Sequence, residues 1–434
     1  MSVRQRWGKK NNKPQVNTDF HRLVGGFFIW VHLCQSTVNK KRGVLDLDFN
    51  FGEIIERRGT DCAKWDLPGE DMLPMWVADM DFQAPSEVRE ALLKAVEHGV
   101  FGYPYYRNSV QEAVADWVKN RHGWQVSPES VVLLPGVVTG FNLTTNAFAR
   151  RGEGILVQPP TYGPFLRVAG NFDLIQQDNL LVPGEEGQYQ VDLEAFEEAI
   201  TPETRIFMLC NPQNPTGRVF TCGELLGMAE ICLRHDVLIC SDEIHSDLVF
   251  SGNKHLPVAM LGEEIAAKTV TLLAPSKTFN VAGLKASAAI IEDEELRTQF
   301  ETARQGMVGF VNTLGAEAMR AAYLYGAPWL DALLIYLEEN RDLLVDFVRD
   351  RLPGVEVAAP QGTFLAWLDC RALDLEQEEG GYFNKFFEDK AKVAVNDGGW
   401  FGTGGEGFVR LNFGCPRSTL IEALERMERA LISK

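Results

Sequence analysis

An α/β fold with a mainly parallel sheet is predicted for residues 86–330 by two features of the 434-residue sequence. Short β-branched, apolar runs alternate with longer amphipathic stretches, the pattern of strands covered by helices. Each apolar run also ends at once in a cluster of glycine, proline and polar residues. In an open α/β sheet the strand C-termini form the ligand crevice, so five such clusters imply one shared pocket.

The chain begins differently. Residues 1–43 carry nine Lys or Arg and one acid, Asp19, whereas the whole chain is at −18, with 60 acidic against 42 basic residues. The apolar patch Leu23–Cys34 between basic flanks resembles a signal segment, but no small-residue cleavage site follows it. The preferred expectation is a basic extension outside the fold; a targeting or interaction arm is the alternative. Residues 44–85 are assigned to the N-terminal part of a small domain. Helices are predicted at Ser86–His98, Val110–Arg121, Leu193–Ala199, Cys222–Arg234 and Glu294–Gly306, and strands at Val131–Leu134, Ile155–Val157, Arg205–Cys210, Val237–Ser241 and Val270–Leu273. These make residues 86–330 a large domain. Residues 331–434, with a long helix at Trp329–Arg351, strands at Thr363–Asp369 and Phe408–Phe413, and an acidic loop at Leu375–Glu379, read as a smaller α+β domain.

Composition narrows the function classes. Hydrophobic residues at 45% and charged residues at 24% are ordinary for a globular chain and exclude wholesale disorder. A strongly acidic surface repels phosphate backbones, so nucleic acid is not expected as a partner. No apolar run approaches the ~18 residues of a membrane span, so no membrane partner is expected either. The eight cysteines form no C-x-x-C pair, which points to reduced core thiols of a cytoplasmic protein rather than a disulfide framework or zinc site.

The clusters bear chemistry. Lys277, in Ala274–Asn280 (APSKTFN), follows a buried strand, where desolvation lowers an amine's pKa and suits it to Schiff-base formation. Taken alone it could equally be a surface lysine. Asp242 ends a strand, where a carboxylate is costly unless paired; a protonated pyridine nitrogen would suit it, and a helix cap or a metal site with Glu243 and His245 are the alternatives. In Pro135–Gly140 (PGVVTG) a glycine and a helix N-terminus could receive a phosphate. Tyr162, in a proline-stiffened loop, could stack on a flat ring. Arg410, alternating with Leu411 in a strand, could bind a carboxylate. Gly402–Gly407 fits G-x-G-x-x-G but leads into a strand, so the dinucleotide reading fails.

Together, Asn211–Gly217 (NPQNPTG), Ser241-Asp242-Glu243 and Ser276–Phe279 (SKTF) resemble the fold type I pyridoxal-phosphate enzymes of the class I/II aminotransferase superfamily, over about residues 47–434. Pro74–Phe82 (PMWVADMDF), Val100–Pro104, Ser241–Asp247, Lys277–Leu284, Gly326–Leu333 and Phe408–Arg417 resemble its cystathionine β-lyase branch, the cysteine-conjugate C–S lyases of MalY/PatB type. The resemblance implies a large domain with a seven-stranded, mainly parallel sheet. It implies that Lys277 holds pyridoxal 5'-phosphate covalently and moves the proton, that Asp242 pairs with the ring nitrogen, and that Asn214 bonds the ring hydroxyl. It implies further that Tyr162 stacks on the ring, and that Gly136, Val137 and Ser276 help hold the phosphate. Tyr103 would reach the partner's phosphate in a homodimer, and Arg410 would take the substrate α-carboxylate. His245 stands where many aminotransferases have a tyrosine, and Lys285 and Ala274 where they carry a phosphate-binding Arg and Ser. The implied activity is α,β-elimination from L-cystathionine or another cysteine S-conjugate to thiol, pyruvate and ammonia. An aminotransferase shares every catalytic residue up to the carbanion, and a regulatory protein that keeps the pocket is the answer from another class. Trp76, Asn312 and Trp400 are candidates for the distal pocket.

Overall fold

The computed structural model describes residues 49–373 and 383–433; the basic extension and the acidic loop lie outside them. Seven strands build the main sheet: β1 (Val131–Leu134), β2 (Gly154–Val157), β3 (Ile175–Asp178), β4 (Thr204–Cys210), β5 (Leu238–Asp242), β6 (Thr269–Leu273) and β7 (Ser287–Ile290). Their spatial order is β1-β7-β6-β5-β4-β2-β3. Only β7 runs antiparallel to its neighbours. The middle of the sheet is covered on both faces, so its central strands are near-continuous apolar runs whose alternate residues serve opposite layers. Ile155, Val157, Ile206 and Met208 pack on one face with Phe141 and Phe165. Leu156, Phe207, Leu209 and Ile239 pack on the other with Leu225 and Met228.

The helices that matter for the site are α1 (Ser86–His98), α2 (Ser109–His122), α3 (Val137–Phe148), α4 (Gly163–Asn171), α5 (Cys222–Arg234), α6 (Glu294–Arg304), α7 (Thr313–Tyr325), α8 (Ala327–Arg351) and α9 (Arg417–Ile432). Local chemistry sets several ends. Thr221 and Glu224 form a capping box on α5, and left-handed Gly123, with no Cβ to strain, closes α2, its N–H donating to Lys119 O and the next N–H, of Trp124, to Val118 O. A second sheet, in order β8-β9-β11-β10, is antiparallel throughout: β8 (Glu356–Val357), β9 (Leu365–Asp369), β10 (Asn396–Asp397) and β11 (Phe408–Asn412). The short strand Leu73–Pro74 pairs in parallel with Val393–Ala394, which brings an early segment beside a late one.

Two strands of the main sheet were not among those read from the apolar runs. β3 is a polar, largely exposed edge, and β7 is Ser-Ala-Ala-Ile, whose small side chains carry weak β-propensity. Among the described residues no helix is long and apolar enough to cross a membrane. Cys210, Cys232, Cys240, Cys370 and Cys415 are free and buried, and burial pushes their thiols up.

The glycine that ends Asn211–Gly217 has a local reason. Gly217 is left-handed, at φ +71°, and a Cβ there would lie 2.7 Å from Pro360 Cβ. Its carbonyl accepts from Gln361 and Gly362 N–H. Gly217→Ala is therefore expected to cost about 1–3 kcal/mol of stability, seen as a lower denaturation midpoint; an unchanged midpoint would mean that the Gly217–Pro360 approach relaxes freely.

Candidate active site

A cavity of about 480 Å³ opens at the C-terminal ends of β1, β4, β5 and β6. All five predicted clusters line it: Gly136 and Val137, Tyr162, Asn214, Asp242 and His245, Ser276 and Lys277. Arg410 enters from β11. Of the residues expected to hold cofactor or substrate carboxylate only Tyr103 lies elsewhere, 98% exposed in a stretch with Val100, Phe101 and Tyr105. Trp76 and Trp400 line the cavity, whereas Asn312 does not: it caps α7, accepting from Gly315 N–H at 2.8 Å and donating to Leu284 O at 2.7 Å.

Lys277 sits in the one-turn helix Pro275–Thr278, directly after β6. Its Nζ donates to Ala78 O at 2.7 Å. Burial, then the Arg410 charge, lowers the amine to about 8, against the opposing pull of Asp79 and Asp242. Asp242 closes β5 and accepts from Ile244 N–H at 3.1 Å. Burial pushes its carboxyl up to about 7 although that bond and Lys277 favour the anion. Glu243, beside it, faces away: it accepts from Ser241 Oγ at 2.9 Å and bonds His255 at 2.8 Å, so Asp242, Glu243 and His245 do not converge as a metal set.

Arg410 is 3% exposed yet highly engaged. It donates to Asn214 Oδ1 at 2.9 Å, Trp76 O at 2.8 Å and Asn396 Oδ1 at 2.6 Å, and lies over the Phe401 ring. Burial lowers it to about 10. With one Asn214 oxygen given to Arg410, the Asn214 amide keeps its N–H donors for a ligand.

The sequence did not announce how the wall of residues 75–82 is held. Asn412 Nδ2 donates to Val77 O and to Asp79 O at 2.7 Å, and Asn280 both accepts from Met80 N–H and donates to Met80 and Phe82 carbonyls. Behind it, Lys64 and Arg57 pair with Asp81 and Asp79, Lys64 being 1% exposed. The Pro74–Phe82 marker was the available signal; the carbonyls it presents were not, since every residue has one.

Three observations test whether these residues suit a flat cationic ring bearing a phosphate. His245 Nδ1 and Arg410 Nε are buried without a hydrogen-bond partner among the described residues, so the cavity contains unused polar capacity. Asp242 is a buried acid with no ion pair among the described residues, which a protonated ring nitrogen would supply. At the phosphate end, α3 begins with no side-chain cap, so the Val137, Val138 and Thr139 N–H groups, all at the cavity wall, lack intrahelical acceptors. The Gly136 N–H itself donates to Ser287 Oγ at 3.0 Å. Lys285 is exposed at the rim. The donor set fits the group.

Residues 70–427 match the family model described as aminotransferase class I and II. The chain is 44% identical to cystathionine beta-lyase PatB of Bacillus subtilis over 390 residues, covering 88% of this chain and all of that one. It is 35% identical to protein MalY of Escherichia coli, covering 88% and 99%. Among solved structures, cystalysin from Treponema denticola, which contains a pyridoxal 5'-phosphate cofactor, superposes with a TM-score of 0.85 at 32% identity, covering 89% of this chain and all of that one.

Proposed function

The chain belongs to the aminotransferase class I and II family, and on that premise we propose that it is a pyridoxal-phosphate-dependent carbon–sulfur β-lyase. It would cleave L-cystathionine or a related cysteine S-conjugate, with one water consumed, to a thiol, pyruvate and ammonia. The observation that carries this reading is the convergence of Lys277, Asp242, Asn214 and Arg410 on one cavity, in a chain 44% identical to a cystathionine beta-lyase over 390 residues.

The cofactor, when bound, supplies an electron sink for charge released at the substrate Cα. Lys277 holds it at rest and takes the Cα proton; an amine lowered to about 8 has a far larger neutral fraction at working pH than an ordinary lysine. Asp242 would keep the ring nitrogen protonated, Asn214 would donate to the ring hydroxyl, and Tyr162 would cover the ring face. His245, whose pKa burial and the Lys277 and Arg410 charges hold well below its ordinary value, stays neutral and offers its unpaired nitrogen to the same group. Val137, Ser276 and the first turn of α3 cradle the phosphate, with Lys285 adding charge from the rim. Arg410 orients the substrate carboxylate.

The reading extends to assembly. Val100, Phe101, Tyr103 and Tyr105 are exposed together, and a homodimer would bury them and bring Tyr103 to the partner's phosphate. A division into residues 86–330, and 44–85 with 331–434, is supported by the pairing of Leu73–Pro74 with Val393–Ala394. A cytoplasmic setting accords with the five buried free cysteines Cys210, Cys232, Cys240, Cys370 and Cys415.

The test is an assay of the cofactor-loaded protein with L-cystathionine, following thiol and pyruvate without a keto acid and amino transfer to 2-oxoglutarate in parallel. Thiol and pyruvate without an acceptor are expected; turnover only with the acceptor would leave an aminotransferase. A second expectation concerns the lysine alone. The rate at which apoprotein takes up added cofactor rises with pH and levels above about 8, because the neutral amine is the nucleophile. A rate still climbing near pH ~10, as for an unperturbed lysine, would refute the lowered amine.

A further inference from the structure

A buried polar group behind the cavity takes no part in the chemistry above. Asp247, 5% exposed, accepts from Thr278 Oγ1 at 2.9 Å, from Trp117 Nε1 at 3.2 Å and bonds His122 Nε2 at 3.0 Å. Thr278 is the residue after Lys277, and Trp117 and His122 belong to α2. Trp117 also meets the Phe279 ring edge-on at 5.5 Å. The turn that carries Lys277 is only four residues long and has no side-chain cap of its own. Its hold comes from outside: Asn280 ties it to Met80 and Phe82, and Thr278 ties it to Asp247.

We propose that Asp247 is a positioning residue for Lys277, fixing the lysine turn against α2 through the Thr278 hydroxyl. The proposal rests on the role of Lys277 given above. A buried carboxylate is costly unless its oxygens are filled, and here three donors fill them. Burial works against the anion, but the hydrogen bonds from His122 and Thr278 help hold the carboxyl below its ordinary range, so Asp247 stays a firm acceptor, while burial lowers His122 and leaves its ring a neutral donor at neutral pH. A displacement of ~1 Å at a reacting group costs about a hundredfold in rate, so one hydroxyl bond beneath a one-turn helix has leverage on the amine above it.

The experiment compares Thr278→Val, Thr278→Ser and Asp247→Asn as cofactor-loaded proteins. The first readout needs no substrate: the visible absorbance of the bound cofactor, titrated with pH. The charged groups facing Lys277, namely Asp242, Asp79, Arg410 and Lys285, and His245 in the same cavity, are unaltered in all three variants. Thr278→Val and Asp247→Asn are expected to move the titration midpoint by about half a pH unit or more and to lower kcat about tenfold at similar KM. Thr278→Ser, which keeps the hydroxyl, restores both. A lower melting temperature with an unmoved midpoint and unchanged kcat would make the bond merely structural and overturn the proposal. So would a Ser variant as impaired as Val. If Thr278→Val does not fold, Thr278→Ala removes the hydroxyl without setting an apolar methyl against Asp247 and carries the same comparison. A parent that titrates normally but releases no thiol would sink the lyase reading alone.

Discussion

Lys277→Ala is expected to abolish thiol and pyruvate release, lowering kcat by at least about a thousandfold. Nothing else at the cavity can replace the amine. Lys285 is exposed at the rim, and Arg410, though lowered to about 10, remains protonated at neutral pH and is bonded to Asn214, Asn396 and Trp76 O. The variant should fold, because the lysine makes a single hydrogen bond, to Ala78 O, and no packing depends on its charge. Thiol release at the parental rate by a folded, cofactor-soaked Lys277→Ala protein would remove the lysine from the mechanism.

Asp242→Asn should act in opposite directions on activity and on stability. Turnover falls by about a hundredfold or more, since an amide does not keep the ring nitrogen protonated. The apoprotein, however, becomes more stable above neutral pH. In the folded chain the Asp242 carboxyl titrates near 7, against 3.8 ordinarily. Between those values the folded chain keeps a proton that the unfolded chain releases, so stability falls as pH rises from about 4 to about 7 and the full cost stands above that. Asparagine removes the cost, by about 1–3 kcal/mol after allowing for relaxation. Melting curves of the two apoproteins should therefore diverge at pH ~8 in favour of the variant and converge near pH ~4. A parent equal to or more stable than the variant at pH ~8 would show that Asp242 pays no desolvation cost.

Much of this arrangement was legible because the physics behind it is local. β1, α1 and α5 fall where apolar runs and periodicity placed them, to the residue. Lys277, Asp242, Asn214 and Tyr162 could be gathered into one pocket because each follows a strand, and parallel strands deliver their C-termini to one edge. The edge strand β3 and the small-residue strand β7 were not legible, since neither is written in the apolar, β-branched code of a buried strand. Nor were the contacts of Lys277 with Ala78 O and of Arg410 with Trp76 O: they join segments far apart in sequence, and both use backbone oxygens. The role of Asp247, at the end of Ser241–Asp247, is not written in its own stretch, because its partners Thr278, Trp117 and His122 come from two others.

The pairing of Leu73–Pro74 with Val393–Ala394, and the reach of Arg410 to Trp76 O, set a schedule for the chain as it is made. While synthesis is under way the central sheet can collapse as soon as β7 has emerged, for all its strands lie before residue 291. The wall of residues 75–82 must then wait for Asn412 to appear, more than a hundred residues later. Non-local closure of this kind is slow, because loop entropy is spent before any contact returns it. A nascent or C-terminally clipped chain therefore owns the lysine but not the grip around it, and tight capture of the cofactor becomes a mark of a finished molecule.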